Sequence, residues 1–138
     1  MKSHEGIEVL ELEIVSLTER PYTHPKAYTA TLAVIDDNTT KIAMGIDKSD
    51  AQYLAVAIEN IKPEYPLPLD LLESTIIEFG FSATEVIIDN IVEGVYTSRI
   101  IFKKDDKFFK LPARTSDSMT MAIKFNCPIY IDKKLVEI

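Results

Sequence analysis

The sequence is poor in the residues that bind transition metals or cross-link chains. One cysteine, Cys127, and two histidines, His4 and His24, occur in 138 residues. A lone cysteine makes no internal disulfide, which fits a reducing compartment, and a structural zinc site needs more thiolates and imidazoles than this. Cys127 is remote in sequence from either histidine that would have to activate it, so it reads as a core or near-surface residue and not as a nucleophile. Only four glycines occur and none clusters, which leaves no glycine-rich phosphate loop. No apolar run approaches the roughly 20 residues that cross a bilayer. The N-terminal MKSHEGIEVLELEI breaks its apolar run with glutamates where a secretory signal needs an uninterrupted core. The expectation is a cytoplasmic chain with no membrane partner.

What is present suits one domain, residues 1–138, long enough for a core and too short for two comfortable ones. The formal net charge is -7. That opposes sequence-independent binding to nucleic acid, which comes mostly from Lys and Arg on phosphates, but it leaves room for a local basic groove. It also suits chemistry in which carboxylates hold a divalent cation.

Along the chain, Leu10, Leu12 and Ile14 alternate with Glu11 and Glu13, the pattern of a half-buried strand over 7–17. Pro21 and Pro25 bracket a loop in which His24 is exposed. Strands over 27–35 and 40–46 complete a meander, with Asp36 and Asp37 as solvated turn residues. Ala51, Leu54, Ala55, Ile58 and Ile61 recur at helical spacing, predicting a helix capped by Asp47 and running to Lys62. Pro63, Pro66 and Pro68 force an extended connector into a second helix over 69–79, stopped by Gly80, with Asp70 in its first turn. Two strands joined at Glu93-Gly94 form a hairpin from Ala83 to Phe102, and a third strand covers Phe108 to Leu111. Arg99, inside the middle strand, is either a salt-bridged outward residue or a phosphate contact.

The stretch PARTSDSMTMAIKFNCPIYI, residues 112–131, carries the most chemistry. Arg114, Thr115, Ser116 and Asp117 fall where a strand gives way to a third helix, ending near Phe125. A helix N-terminus offers unpaired N–H groups and a partial positive charge, and with an arginine beside it suits an anion such as phosphate. The plainer reading is a helix whose Ser116 and Asp117 serve its first turn while Arg114 pairs locally. Pro128 to Ile131 then read as an edge strand. Strands, two helices, strands, helix, strand, without βαβ alternation, define an α+β class: a largely antiparallel sheet or partly closed barrel with about three packed helices.

The segment RTSDSMTMAIKFNCPIYI resembles the signature of the bifunctional nuclease family, in which an Arg-Pro-Ser-Asp-Ala run opens a helix that ends before a Pro-Ile-Tyr strand. Asp50-Ala51-Gln52 is similar to that family's Glu-Ala pair, and Tyr65-Pro66-Leu67-Pro68-Leu69-Asp70-Leu71-Leu72 to its Arg-Pro-Leu-Thr-His-Asp-Leu-Leu segment. Glu93-Gly94-Val95-Tyr96 also fits. The resemblance implies a compact α+β domain, a homo-oligomer with a dimer as the expected form, and phosphodiester hydrolysis on DNA or RNA. It nominates Arg114, Ser116, Asp117 and Asp70 as catalytic residues. Because Asp50, Asp70 and Asp117 all lie at helix N-termini, a convergence of those ends would let them hold magnesium or manganese. The departures are specific: Thr115 and Ser118 replace Pro and Ala, Tyr65 and Leu69 stand at the Arg and His positions, and Ala43 and Asp47 stand at a Pro and a Gly. Leu69 transfers no proton and ligates no metal. Two further readings use the same residues without chemistry: an inactive oligomeric or partner-binding module, in which Arg114, Asp70 and Asp117 are structural, and a small-anion or nucleotide-binding domain.

Overall fold

A computed structural model describes residues 2–4 and 6–136, with the side chains of 2–4, His4 among them, and of Asn38 outside the description. The elements run β1 (Lys2–His4), β2 (Ile7–Glu19), β3 (Ala27–Val34), β4 (Asp37–Asp47), α1 (Lys48–Ile58), α2 (Pro68–Glu78), β5 (Ser82–Val92), β6 (Val95–Lys104), β7 (Lys107–Arg114), α3 (Thr115–Phe125) and β8 (Ile129–Asp132), then a 3-10 turn, Lys133–Leu135. The strands form one sheet in the order β4-β3-β2-β8-β5-β6-β7, with β1 beside β2. Every pairing is antiparallel except β5 with β8. The class is α+β as expected, and the sheet is open, with β4 and β7 as its edges.

Alternation sets which face each strand buries. Ala30 and Leu32 of β3, Val86 and Ile88 of β5 and Ile100 of β6 are all 5% exposed or less, and they meet Leu54 of α1 and Met119 and Met121 of α3 in the main core. Helix α3 is buried from Ser118 to Ala122, on more than one side, because it lies against the sheet while α1 packs on it. Helix α2 buries no residue and leaves Leu71, Leu72 and Ile77 exposed, with Phe79 just after it. On the other face of the sheet Val9, Ile87, Ile101 and Tyr130 form a second, small cluster.

One expectation is corrected. Residues Pro128 to Ile131 are not an edge: β8 lies between β2 and β5, and Ile129, Tyr130 and Ile131 are buried. A short continuous apolar run is the pattern of a strand covered on both faces. Pro128, just before the strand, loses nothing by lacking an N–H, and its carbonyl accepts from Val86 N at 3.0 Å. The first helix also ends earlier than its periodicity suggests, at Ile58, where Glu59 closes it and Asn60 turns left-handed at φ 52. The β5–β6 hairpin matches its sequence signal, since Glu93 (φ 51) and Gly94 (φ 81) supply the two positive φ angles of a tight two-residue turn.

Candidate functional site

The end of β7 is pinned before it becomes helix. The register pairs Thr97 with Arg114, and Thr115 Oγ1 donates to Tyr96 O at 2.8 Å, tying the first residue of α3 to β6. Ser98 Oγ donates to Ala113 O at 2.8 Å and lies 2.6 Å from Ser118 Oγ. With the Ser98 proton committed to Ala113, Ser118 is the donor in that pair, so both buried hydroxyls are satisfied. Helix α1 is fixed in a comparable way, by Asp47 Oδ1 accepting from Asp50 N at 2.8 Å.

These two pinned ends bring Asp50 to Arg114. Arg114 Nη1 and Nη2 donate to Asp50 Oδ2 and Oδ1, each at 3.1 Å, while Nε and Nη2 donate to Asp117 Oδ2 and Oδ1 at 3.0 and 3.1 Å. Ser116 Oγ adds a bond to Asp50 Oδ2 at 3.3 Å. The guanidinium is therefore forked onto two carboxylates at once, and Asp117 and then Asp50 raise its pKa above the ordinary arginine value. One cation against two carboxylates leaves the trio formally negative. Asp50 is the inner member, 12% exposed against 63% for Arg114.

Asp70 is elsewhere. Its Oδ2 accepts from Leu67 N at 2.9 Å, closing the first turn of α2, and Oδ1 takes an ion pair from Lys124 of α3, which Glu73 also approaches at 3.9 Å. Lys124 holds the Asp70 carboxyl below its usual value. The structure does not bring Asp50, Asp70 and Asp117 together: Arg114 pairs with Asp50 and Asp117, and Lys124 with Asp70. Among the described residues no group of three His, Cys, Asp or Glu is placed to hold a metal ion. The donor set does not fit the divalent cation proposed for it. Asp70 lies apart from Arg114, Ser116 and Asp117 and borders a separate recess with Lys124 and Pro63.

A cleft of about 1100 Å³ opens beside Arg114, bordered by the first turns of α1 and α3, by the end of β4 and by the start of β6. The chain has three arginines, Arg20, Arg99 and Arg114, and all three line this cleft. Among the described residues no lysine lines it. Arg99 pairs with Asp89 across the hairpin at 2.9 Å, so the outward, salt-bridged reading holds and it faces the cleft as well. Sequence reasoning missed Arg20. Its one sequence signal is rarity, because an arginine is the scarcer cation here.

An α+β domain with an open sheet and an arginine-lined cleft at the start of two helices is the class that fold and site define. The chain belongs to the bifunctional nuclease domain family, whose sequence profile matches residues 30–138. Two curated relatives, the uncharacterised proteins MT1877 and Rv1829 of Mycobacterium tuberculosis, are each 33% identical over 91 residues. The match takes in 66% of this chain and 54% of each relative, so the chain spans about half their length. Arg20 lies before the matched span.

Proposed function

We propose that the domain binds a DNA or RNA strand in the arginine cleft and hydrolyses its phosphodiester bonds. The observation that carries this reading is the gathering of all three arginines, and no lysine among the described residues, on one cleft of a family member with net charge -7. Arginine's planar fork matches phosphate oxygens; Asp47, Asp50 and Asp89 line the same cleft, so a phosphate is received by the geometry of the individual guanidinium groups and not by an excess of positive charge.

In this reading an incoming phosphate displaces Asp117, the more exposed of the two carboxylates at 31%, from the Arg114 fork. Asp50 keeps the guanidinium oriented. The released Asp117 carboxylate takes a proton from the water that attacks phosphorus, Arg114 neutralises the non-bridging oxygens, and the leaving oxygen takes a proton from solvent. Ser116 steadies Asp50. Arg114, Ser116 and Asp117 carry the reaction, with Asp50 as support.

A catalytically inactive, partner-binding module on the same scaffold is the second reading, favoured by the fact that the Arg114 fork is already filled. A homo-oligomer, in the simplest case a dimer, belongs to either reading, and the exposed Leu71, Ile77 and Phe79 offer apolar area for it. No helix is long and apolar enough to cross a membrane among the described residues. A cytoplasmic setting is part of the proposal and rests on the lone cysteine.

The test is cleavage of end-labelled single-stranded DNA, double-stranded DNA and RNA, with magnesium, with manganese and with a chelator, beside an Arg114→Ala, Asp117→Ala variant. Wild-type products that vanish in the variant support hydrolysis in this cleft. Equal products from both indicate contamination, and none from either favours the module.

A further inference from the structure

The three arginines of the cleft are not equivalent. Arg114 is forked onto Asp50 and Asp117, and Arg99 is held by Asp89 at 2.9 Å. Arg20 has no carboxylate partner among the described residues. Its Nε donates to Thr29 Oγ1 at 2.8 Å, and its backbone N donates to Ala27 O, also at 2.8 Å. The residue just past the end of β2 is therefore fixed at both backbone and side chain, with both terminal nitrogens left over.

Gly45 explains where the head group lies. Thr29 and Gly45 are cross-strand partners on β3 and β4. A Cβ built on Gly45 would stand 3.0 Å from Arg20 Nη2, 3.3 Å from Cζ and 3.5 Å from Nη1. The whole guanidinium plane thus rests where a side chain at 45 would project. Gly45 has no positive φ to demand a glycine, so what the missing Cβ provides at this position is a seat for Arg20. A cation held by a hydroxyl on one edge and seated on bare backbone keeps its outer donors for something else.

We infer that Arg20, seated on Gly45 and oriented by Thr29, is the principal phosphate-binding group of the cleft and grips a backbone phosphate of the bound nucleic-acid strand other than the one at Arg114. The inference rests on the nucleic-acid reading above and deepens it. Electrostatics supports this division: an anion approaching Arg114 first meets a formally negative trio, whereas at Arg20 it meets a guanidinium that bonds no carboxylate, with preformed geometry, although Asp47 lines the same cleft. Arg20 supplies affinity and register, while Arg114 stays locked until a phosphate competes with Asp117.

The experiment is fluorescence anisotropy of labelled single-stranded DNA and RNA with the full chain over a series of potassium chloride concentrations. Wild type is compared with Arg20→Ala, Arg20→Lys and Gly45→Ala, with Lys107→Ala as a surface control outside the cleft. Arg20→Ala is expected to weaken binding roughly tenfold and to lower the slope of log K against log salt by about one, as for loss of one phosphate contact. Arg20→Lys should keep the slope and lose part of the affinity, because a point charge replaces a fork. Gly45→Ala should mimic Arg20→Ala by unseating the guanidinium, and it keeps the inference testable without touching Arg20. Unchanged affinity and slope in both Arg20→Ala and Gly45→Ala, or an equal effect from Lys107→Ala, overturns the inference. Absence of any binding by folded wild type overturns it together with the nucleic-acid reading. Arg20-dependent binding without cleavage leaves it standing and removes only the hydrolytic step.

Discussion

Arg114 grips Asp50 through both of its terminal nitrogens, at 3.1 Å each, across 64 residues of sequence. This contact joins the start of α1 to the start of α3, the two helices that pack together over the sheet. Removing the guanidinium leaves a mostly buried carboxylate without its cation. Arg114→Ala is expected to cost about 1 kcal/mol of stability, since the arginine is exposed though Asp50 is not, and Arg114→Ala with Asp50→Ala less than the sum of the two single changes. Urea unfolding of the four proteins reads the coupling. Additive losses would mean the pair contributes little.

A second ion pair sets an acid limit. Lys124 holds the Asp70 carboxyl below its ordinary value, so folding favours the ionised form. The resulting stability is present in full above the unfolded carboxyl pKa of about 3.9 and is lost as pH falls through the lower folded value. Asp70→Asn should therefore be less stable than wild type at pH 7, and the gap should narrow as pH falls below about 3.9. Asp37, held low by Thr39 and Thr40, adds a slope of the same sign to both proteins, so the difference between them isolates Asp70. A gap that does not change with pH would dismiss the ion pair as its source.

The buried hydroxyl pair predicts non-additivity of another kind. Ser98→Ala strips Ser118 of its acceptor and should cost about 1–3 kcal/mol, the penalty for an unsatisfied buried hydroxyl. Replacing both serines by alanine removes the orphan and should cost less than the single changes together. Thermal unfolding of the two single variants and the double variant decides it.

Cys127 should be slow to react. Burial, with Glu85 adding to it, pushes its thiol up to about 11, and the thiolate is the reactive form. At pH 7.5 a disulfide reagent should label the folded chain much more slowly than the urea-unfolded chain. Equal rates would contradict the burial.

Local signals in the sequence were sufficient wherever the chemistry is local. Asp47 as a cap, Gly80 as a stop, Glu93-Gly94 as a turn and the switch from strand to helix at Arg114 all depend on neighbours a few residues away. What was not legible depends on who arrives from far along the chain. Asp70 reads the same whether it faces a metal or Lys124, which lies 54 residues away. Ile129-Tyr130-Ile131 gives no sign that β2 and β5 will flank it. Arg20 sits beside Pro21 in what looks like the start of a loop, and only the pairing of β3 with β4 puts Gly45 under its head group. The separation of the three carboxylates has the same origin: they share a local motif at three helix starts, and tertiary packing brings Asp50 to Arg114 and Asp70 to Lys124.

The cleft can be watched directly, because a chain with three arginines gives three arginine Nε–H signals in a nitrogen-15 NMR spectrum. Titration with a short single-stranded oligonucleotide is expected to shift the Arg20 signal most, with Arg99 and Arg114 following as the strand fills the cleft. Binding that leaves all three signals in place, with changes only at lysines outside the cleft, would contradict the account.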